Sequence, residues 1–440
     1  MTPKPIRAFL RILCLVALAA GLARASAQPS AVVAADNAPN SVAAQAQHYV
    51  VLVSLDGFRY DYAAKYGAKN LQSIAKAGAT APDGMIPSYP SITFPNHYTL
   101  VTGLYPEHHG IVANSFYDPV RKARYSYTDP ATVTDGSWYG GTPLWVLAEQ
   151  HQMRAACFFW PGSEAAIQGV RPSYYLHYDN QFPEEKRIDQ VVAWLQLPPE
   201  QRPHFITLYD YEPDHSGHQF GPDSPEVRDA VHHVDDLVGK LRARLDALRL
   251  PIDLIVVSDH GMAKVQGDWI NLDKYADLAD FDTDGALLYA KGDPAAAEAA
   301  AEKAYNQLKK ADSRFMVYRR AKVPAGLDFN QNPREGDPVI VPTGPYLIRA
   351  HAPGNPDGTA KPERPAPLGM HGYDPATMKD MRAVFYAVGP DIRPGTTLKP
   401  FENVNVYPLV ARILGLDPPK VDGSLNVVSE ILVESGAPAQ

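Results

Sequence analysis

Two cysteines in 440 residues rule out a fold held together by disulfides. One, Cys14, lies in the N-terminal apolar stretch. The other, Cys157, stands in Ala155-Ala156-Cys157-Phe158-Phe159, the setting of a buried small hydrophobe rather than of a reactive thiol. Long apolar runs are missing as well: beyond the N-terminus no segment approaches the roughly 20 residues that a bilayer requires. Positive charge is also in short supply, with 41 Lys and Arg against 49 Asp and Glu and a formal net charge of −8. A groove that tracks nucleic-acid phosphates needs a cationic surplus, so no stable nucleic-acid partner is expected. No repeat period is present, which excludes solenoids and propellers.

What the N-terminus does contain is a leader pattern. Lys4, Arg7 and Arg11 precede the apolar stretch Ile12 to Leu22, and Ala25-Ser26-Ala27 supplies the small residues of a cleavage site. Residues 1–27 read as a secretory signal peptide, so the mature chain is expected to be exported, periplasmic or secreted, with no membrane span after cleavage. That cleavage removes four cations and no acid and takes the formal charge from −8 to −12. Residues 28–47, rich in Ala, Ser, Asn and Gln, read as a flexible extension, and residues 431–440 as a C-terminal tail.

From His48 onward, apolar strand-like runs alternate with helical periodicity. Strands are expected at 49–55, 154–159, 204–209 and 252–258, with helices at 67–77, 93–102, 142–151, 184–196 and 225–247. Such alternation predicts an α/β fold, a mostly parallel central sheet with helices on both faces. The texture changes between His260 and His371. A strand at 287–290, an Ala-rich helix at 294–310, a strand at 315–318 and a hairpin joining 338–342 to 346–348 suggest a small inserted α+β subdomain at about 270–365. The main domain, 48–430, resumes with a strand at 383–388 and a helix from Val406 to Leu414.

Chemistry gathers at strand ends. The run Tyr49–Leu55 ends in Asp56-Gly57, and the run Ile252–Ser258 ends in Asp259-His260, each at the carboxyl edge where open α/β sheets place their sites. Asp214 and His218, four residues apart, share a face only if the segment is helical, and Gly217 leaves a loop equally open. His371, in Met370-His371-Gly372, adds a late imidazole. Carboxylate and imidazole donors in this mixture suit zinc or another first-row metal. Thr93 opens a helix with Pro95 in its first turn, which makes it either a capping residue or a nucleophile whose hydroxyl a metal activates.

Leu55-Asp56-Gly57, Pro90-Ser91-Ile92-Thr93-Phe94-Pro95-Asn96-His97, Thr102-Gly103-Leu104-Tyr105-Pro106-Glu107-His108-His109-Gly110-Ile111 and Asn114 together resemble the nucleotide pyrophosphatase/phosphodiesterase family of the alkaline phosphatase superfamily. The likeness continues through Glu212-Pro213-Asp214-His215-Ser216-Gly217-His218, Ser258-Asp259-His260-Gly261-Met262 and His371-Gly372-Tyr373. It implies an alkaline-phosphatase-like three-layer sandwich and two zinc ions, one held by Asp214, His218 and His371, the other by Asp56, Thr93, Asp259 and His260. It further implies that Thr93 is the nucleophile of a covalent phosphothreonine intermediate, with Asn114 binding a phosphate oxygen. The substrate would be a small nucleotide or other phosphodiester, cleaved to a nucleoside 5′-monophosphate, with Phe94, Tyr178 and Tyr209 at the base-stacking positions.

A choline head-group phosphodiesterase of the same superfamily is the alternative. A phosphate monoesterase is disfavoured, because the segment after strand 154–159, Trp160-Pro161-Gly162-Ser163-Glu164, carries no cation for the extra phosphate charge. Nothing in the sequence bears on oligomeric state.

Overall fold

The computed structural model describes residues 31–353 and 365–433. The signal-peptide segment and residues 434–440 of the tail lie outside the described residues.

Nine strands make the central sheet: β1 (Val33–Ala34), β2 (Tyr49–Leu55), β3 (Ala79–Thr80), β4 (Ala155–Phe158), β5 (Tyr174–Tyr175), β6 (Phe205–Asp210), β7 (Ile252–Val257), β8 (Phe385–Val388) and β9 (Thr396–Thr397). Their spatial order is β1-β5-β4-β6-β2-β7-β8-β3-β9. The five strands from β5 to β7 run parallel, while β8 lies antiparallel to both β7 and β3. β2, with every residue buried, sits at the centre between β6 and β7.

Alternation along the strands divides the core into two layers. Val50 and Leu52 of β2, with Ile255 and Val257 of β7, pack on one face against Leu100 and Val101 of α2 (Thr93–Thr102), α3 (Leu144–Gln150) and α8 (Val406–Ile413). Val51 and Val53, with Leu254 and Val256, pack on the other face against α1 (Lys69–Ala77), α4 (Glu184–Leu195) and α6 (Pro225–Ala247). This is the expected three-layer α/β arrangement.

Residues 270–350 gather a core of their own around Leu272, Leu288, Ala304, Leu308, Phe315 and Ile340, with α7 (Pro294–Leu308) over two short antiparallel strand pairs. The hairpin expected between 338–342 and 346–348 is absent. Val339–Pro342 pairs instead with Phe315–Tyr318, and Ile348–Arg349 runs parallel to Ile270–Asn271. Tertiary pairing thus overrode the short sequence separation that suggested a local turn. Arg334 anchors this unit to the main body, with Nε 2.8 Å from Asp118 Oδ2 and Nη1 donating to the Gly110 and Trp138 carbonyls.

The N-terminal segment also departs from expectation. Val33–Ala34 pairs with Tyr174–Tyr175, and buried Asn40 donates to the Pro199 and Arg202 carbonyls, so the described part of 28–47 is packed structure rather than a free extension. Its polar composition hid this because backbone pairing and the side-chain amides of Asn37 and Asn40, rather than an apolar period, hold it in place. At the other end, Ile431 is fully buried, so the packed chain runs past the expected start of the tail.

Candidate metal and active site

The parallel strands deliver their acids to one edge. Asp56 follows β2, Asp259 follows β7 by two residues, and Asp214 opens α5 (Asp214–Phe220), four residues after β6. The segment left open as loop or helix is helical, so Asp214 and His218 share a face, with Oδ2 and Nε2 3.3 Å apart. Asp214 N–H donates to the Asp56 carbonyl at 3.0 Å, which ties the two strand ends together. Gly57 makes that approach possible: its φ is +65°, and a Cβ there would lie 2.8 Å from Asp214 Cβ and 2.9 Å from its Cα.

The side chains form two neighbouring groups, Asp214 with His260 and His371, and Asp56 with His97 and Asp259. His260 stands between them. Its Nε2 is 3.0 Å from Asp259 Oδ2 and 3.5 Å from Asp56 Oδ1, and its ring stacks on His371 with centroids 3.6 Å apart. His371 Nε2 is in turn 3.6 Å from Asp214 Oδ1.

In three of these histidines Nδ1 is committed to a backbone carbonyl: His218 to Gly369, His260 to Gly261 and His371 to Ser91, each at 2.9 Å. That leaves Nε2 as the nitrogen a metal could take, the arrangement that orients metal-binding imidazoles. One oxygen each of Asp56 (Oδ1), Asp214 (Oδ1) and Asp259 (Oδ2) is buried without a hydrogen-bond partner among the described residues. A buried carboxylate oxygen left without a donor is costly unless a cation completes it, so the donor set fits divalent metal. His97 does not join as a ligand. Its Nε2 lies 2.8 Å from Ser54 Oγ and its Nδ1 2.9 Å from the Thr93 carbonyl, so both nitrogens are used, and burial lowers its pKa and keeps the ring neutral.

Electrostatics agrees with this geometry. Burial and the neighbouring Asp259 and Asp214 carboxylates push Asp56 well above the usual carboxylate range. Burial also opposes ionisation of Asp259, but the His260 imidazole beside it outweighs that and holds this acid below its ordinary value. His371 is lowered to about 3 by burial and by His260, which leaves its imidazole neutral. Acids crowded so closely require positive charge among them.

Thr93 is the first residue of α2, and its Oγ1 lies 3.3 Å from His260 Nε2. Ile92 precedes the helix without a side-chain cap, and Asn114 Oδ1 takes the Phe94 N–H at 2.9 Å in its place. Phe94, partly buried, has its ring 5.3 Å from that of Tyr127, an exposed aromatic that the sequence did not single out. Tyr178 is 50% exposed. Tyr209 is not an open stacking face: it is buried, and its hydroxyl donates to Asp56 Oδ2 at 2.6 Å.

Beside His218 and His371 opens a cavity of about 730 Å³ between the main body and the inserted unit. Tyr89, Trp269, Phe329 and Ile340 contribute to its walls, Asn114 borders it, and Phe94 and Tyr178 lie outside it.

Residues 50–374 match the model of the type I phosphodiesterase / nucleotide pyrophosphatase family. The chain belongs to that family. Membership carries the enzyme class, hydrolysis of phosphodiester and pyrophosphate bonds, and with it the alkaline-phosphatase-like fold. Human ectonucleotide pyrophosphatase/phosphodiesterase family member 7 is 35% identical over 417 residues, 89% of this chain and 85% of the relative. Human member 1 is 35% identical over 400 residues, and there the chain spans only 41% of the relative's length. Among solved structures, an inactive variant of murine ectonucleotide pyrophosphatase/phosphodiesterase 5 in complex with AMP superposes with a TM-score of 0.79 at 29% identity, covering 88% of this chain and all of that one.

Proposed function

We propose that this family member hydrolyses nucleotide phosphodiester and phosphoanhydride bonds at the phosphorus bearing the nucleoside, releasing a nucleoside 5′-monophosphate through a phosphothreonine on Thr93. The observation that carries the reading is the position of Thr93, at a helix N-terminus with Oγ1 3.3 Å from His260 Nε2, where the two ligand groups meet. Asp214, His218 and His371 would hold one zinc ion, and Asp56, Thr93, Asp259 and His260 a second. Such a pair, when bound, supplies an activated hydroxyl and water and neutralises charge on the transferring phosphoryl group.

The chain's own residues do the rest. Thr93 Oγ attacks phosphorus as the bond to the leaving group breaks, and water then attacks the threonine ester, freeing the monophosphate and restoring the hydroxyl. Asn114, with Oδ1 committed to Phe94 N–H, offers its Nδ2 to a non-bridging oxygen beside the Thr93 backbone N–H. Phe94 and exposed Tyr178 stack the base, a tolerant mode of recognition that predicts broad base preference. The cavity beside His218 and His371, which Phe94 and Tyr178 do not line, receives the leaving group. The AMP bound by the murine relative is in keeping with a nucleotide substrate.

The cavity's largely apolar wall favours one second reading, a choline-type lipid head-group phosphodiesterase with an apolar alcohol leaving. A monoesterase fits poorly, since the loop after β4 offers the Glu164 carboxylate, bound to His177 and to Tyr178 N–H, instead of a cation. The enzyme is expected to act after export, in the periplasm or outside the cell, and among the described residues no helix is long and apolar enough to cross a membrane. Rates on a p-nitrophenyl nucleoside monophosphate diester, glycerophosphocholine and a monoester, measured side by side on zinc-loaded protein, test the reading. The nucleotide diester should be turned over at least about tenfold faster, and a faster choline diester overturns the choice.

A further inference from the structure

At the edge of the sheet opposite the active site, three more ligating side chains converge. His48 immediately precedes β2, Asp253 is the second residue of β7, and Asp391 follows β8 by three residues. Because β8 runs antiparallel to β7, with Val388 opposite Leu254, its carboxyl end comes to the amino ends of the two central strands. Asp253 and Asp259 are six strand residues apart, about 20 Å, which makes this a separate place in the molecule.

The local geometry repeats what marks the active site. His48 Nδ1 is 2.6 Å from Asp391 Oδ2, and one donor atom from each of the three residues lies within 4.8 Å of the others. Asp253 is fully buried, and its Oδ2 has no hydrogen-bond partner among the described residues, as with one oxygen of Asp56, Asp214 and Asp259. Its Oδ1 accepts the Asp391 N–H at 3.1 Å. Gly389 permits this approach, since a Cβ there would come within 2.3 Å of Asp253 Oδ1. Burial and the adjacent Asp391 push the Asp253 carboxyl up to about 8. The His48 and Asp391 side chains are 39% and 32% exposed, which leaves a path for an ion and a position for water.

We propose that His48, Asp253 and Asp391 form an additional, structural site for a first-row divalent cation of the zinc type. Two carboxylates balance the charge of one divalent ion, and an imidazole with two carboxylates and a water completes a tetrahedral zinc shell. Calcium, which takes six to eight oxygens, fits this donor set poorly. Seating zinc requires the His48–Asp391 pair to open from 2.6 Å to about 3.3 Å, a rotamer-scale adjustment for two half-exposed side chains. The site ties the entry to β2 to the turn after β8, and through the bond from Val433 N–H to the Asp391 carbonyl it reaches the C-terminal segment. Its role is to fasten the fold, not to touch substrate.

Zinc alone is the probe. Chelator-stripped protein reloaded with zinc should hold one ion more per chain than Asp391→Asn, with phosphodiesterase activity of the two within about twofold. An Asp56→Asn/Asp214→Asn protein, which lacks a ligand in each active-site group, should still bind one zinc and gain several degrees in Tm when it does. His48→Gln serves in the same comparison if Asp391→Asn does not fold. Equal zinc content in wild type and Asp391→Asn, or no bound zinc in the double variant, overturns the site. Because the double variant is read by metal content and Tm, its result is independent of what the active site hydrolyses.

Discussion

The Tyr209 hydroxyl donates a 2.6 Å hydrogen bond to Asp56 Oδ2. Tyr209 lies on β6 opposite Ser54 of β2, two residues before Asp56, so the bond spans adjacent central strands. It occupies one oxygen of the acid and leaves the other, Oδ1, facing His260 Nε2 at 3.5 Å. Burial and the Asp56 carboxylate raise the Tyr209 hydroxyl well above its ordinary value, so it stays a donor throughout the working pH range.

Tyr209 is therefore expected to act on metal affinity rather than on base stacking. Tyr209→Phe keeps the ring and removes the donor. Zinc affinity measured by titration of stripped protein should fall about 10- to 100-fold, with the nucleotide KM of fully loaded enzyme nearly unchanged. A raised KM at unaltered zinc affinity would return Tyr209 to the stacking role that the sequence suggested.

Asn114 has two functions that substitution can separate. Its Oδ1 caps α2 through Phe94 N–H, and its Nδ2 is assigned to the phosphate. Asn114→Asp retains an acceptor for the cap but replaces the donor with a negative charge, so kcat should fall about 100- to 1,000-fold at nearly constant Tm. Asn114→Ala should show a similar loss of kcat together with about 1 kcal/mol of destabilisation, read by thermal or denaturant unfolding. Retention of kcat in Asn114→Asp contradicts the phosphate-binding assignment.

Metal binding should depend on pH through His218. Burial pulls its pKa down, but the Asp214 carboxylate outweighs that and raises it to about 9 in the metal-free protein, while Asp214 itself is lowered to about 2. A raised pKa means that the His218–Asp214 contact stabilises the metal-free fold fully below pH 6.5 and loses that contribution as pH rises through about 9. Zinc needs the neutral ring, so its affinity should increase up to about tenfold per pH unit between 6.5 and 9, and the Tm gap between loaded and stripped protein should widen over the same window. His371, lowered to about 3, remains neutral throughout and adds nothing to that dependence. A flat affinity across the window would count against His218 as a ligand.

Much of the site was legible because it hangs on strong local signals. Fully buried β2 and β7, apolar except for Ser54 and Asp253, announce parallel strands of the central sheet, and an acid at the end of each emerges at the carboxyl edge. Thr93 opens α2 where Pro95 in the first turn indicated, and α6 spans Pro225–Ala247 as its periodicity predicted. What escaped is non-local. The bond from Tyr209 to Asp56 depends on strand register, which a side chain's own neighbours do not reveal. The ordering of 33–47 and the pairing of Val339–Pro342 with Phe315–Tyr318 rest on partners more than twenty residues away. His48 has nothing nearby in sequence to mark it, since Asp253 and Asp391 reach it only across the sheet. The cavity beside His218 and His371 exists only where the inserted unit meets the main body.

The most direct measurement is hydrolysis of a p-nitrophenyl nucleoside monophosphate diester by Thr93→Ala, with zinc content determined on the same sample. Oγ1 of Thr93 is the one hydroxyl of α2 within hydrogen-bonding reach of His260 Nε2, so its removal should lower turnover at least about 1,000-fold while zinc stays bound through the remaining Asp and His ligands. Turnover at the wild-type rate in a zinc-loaded Thr93→Ala protein would contradict the account.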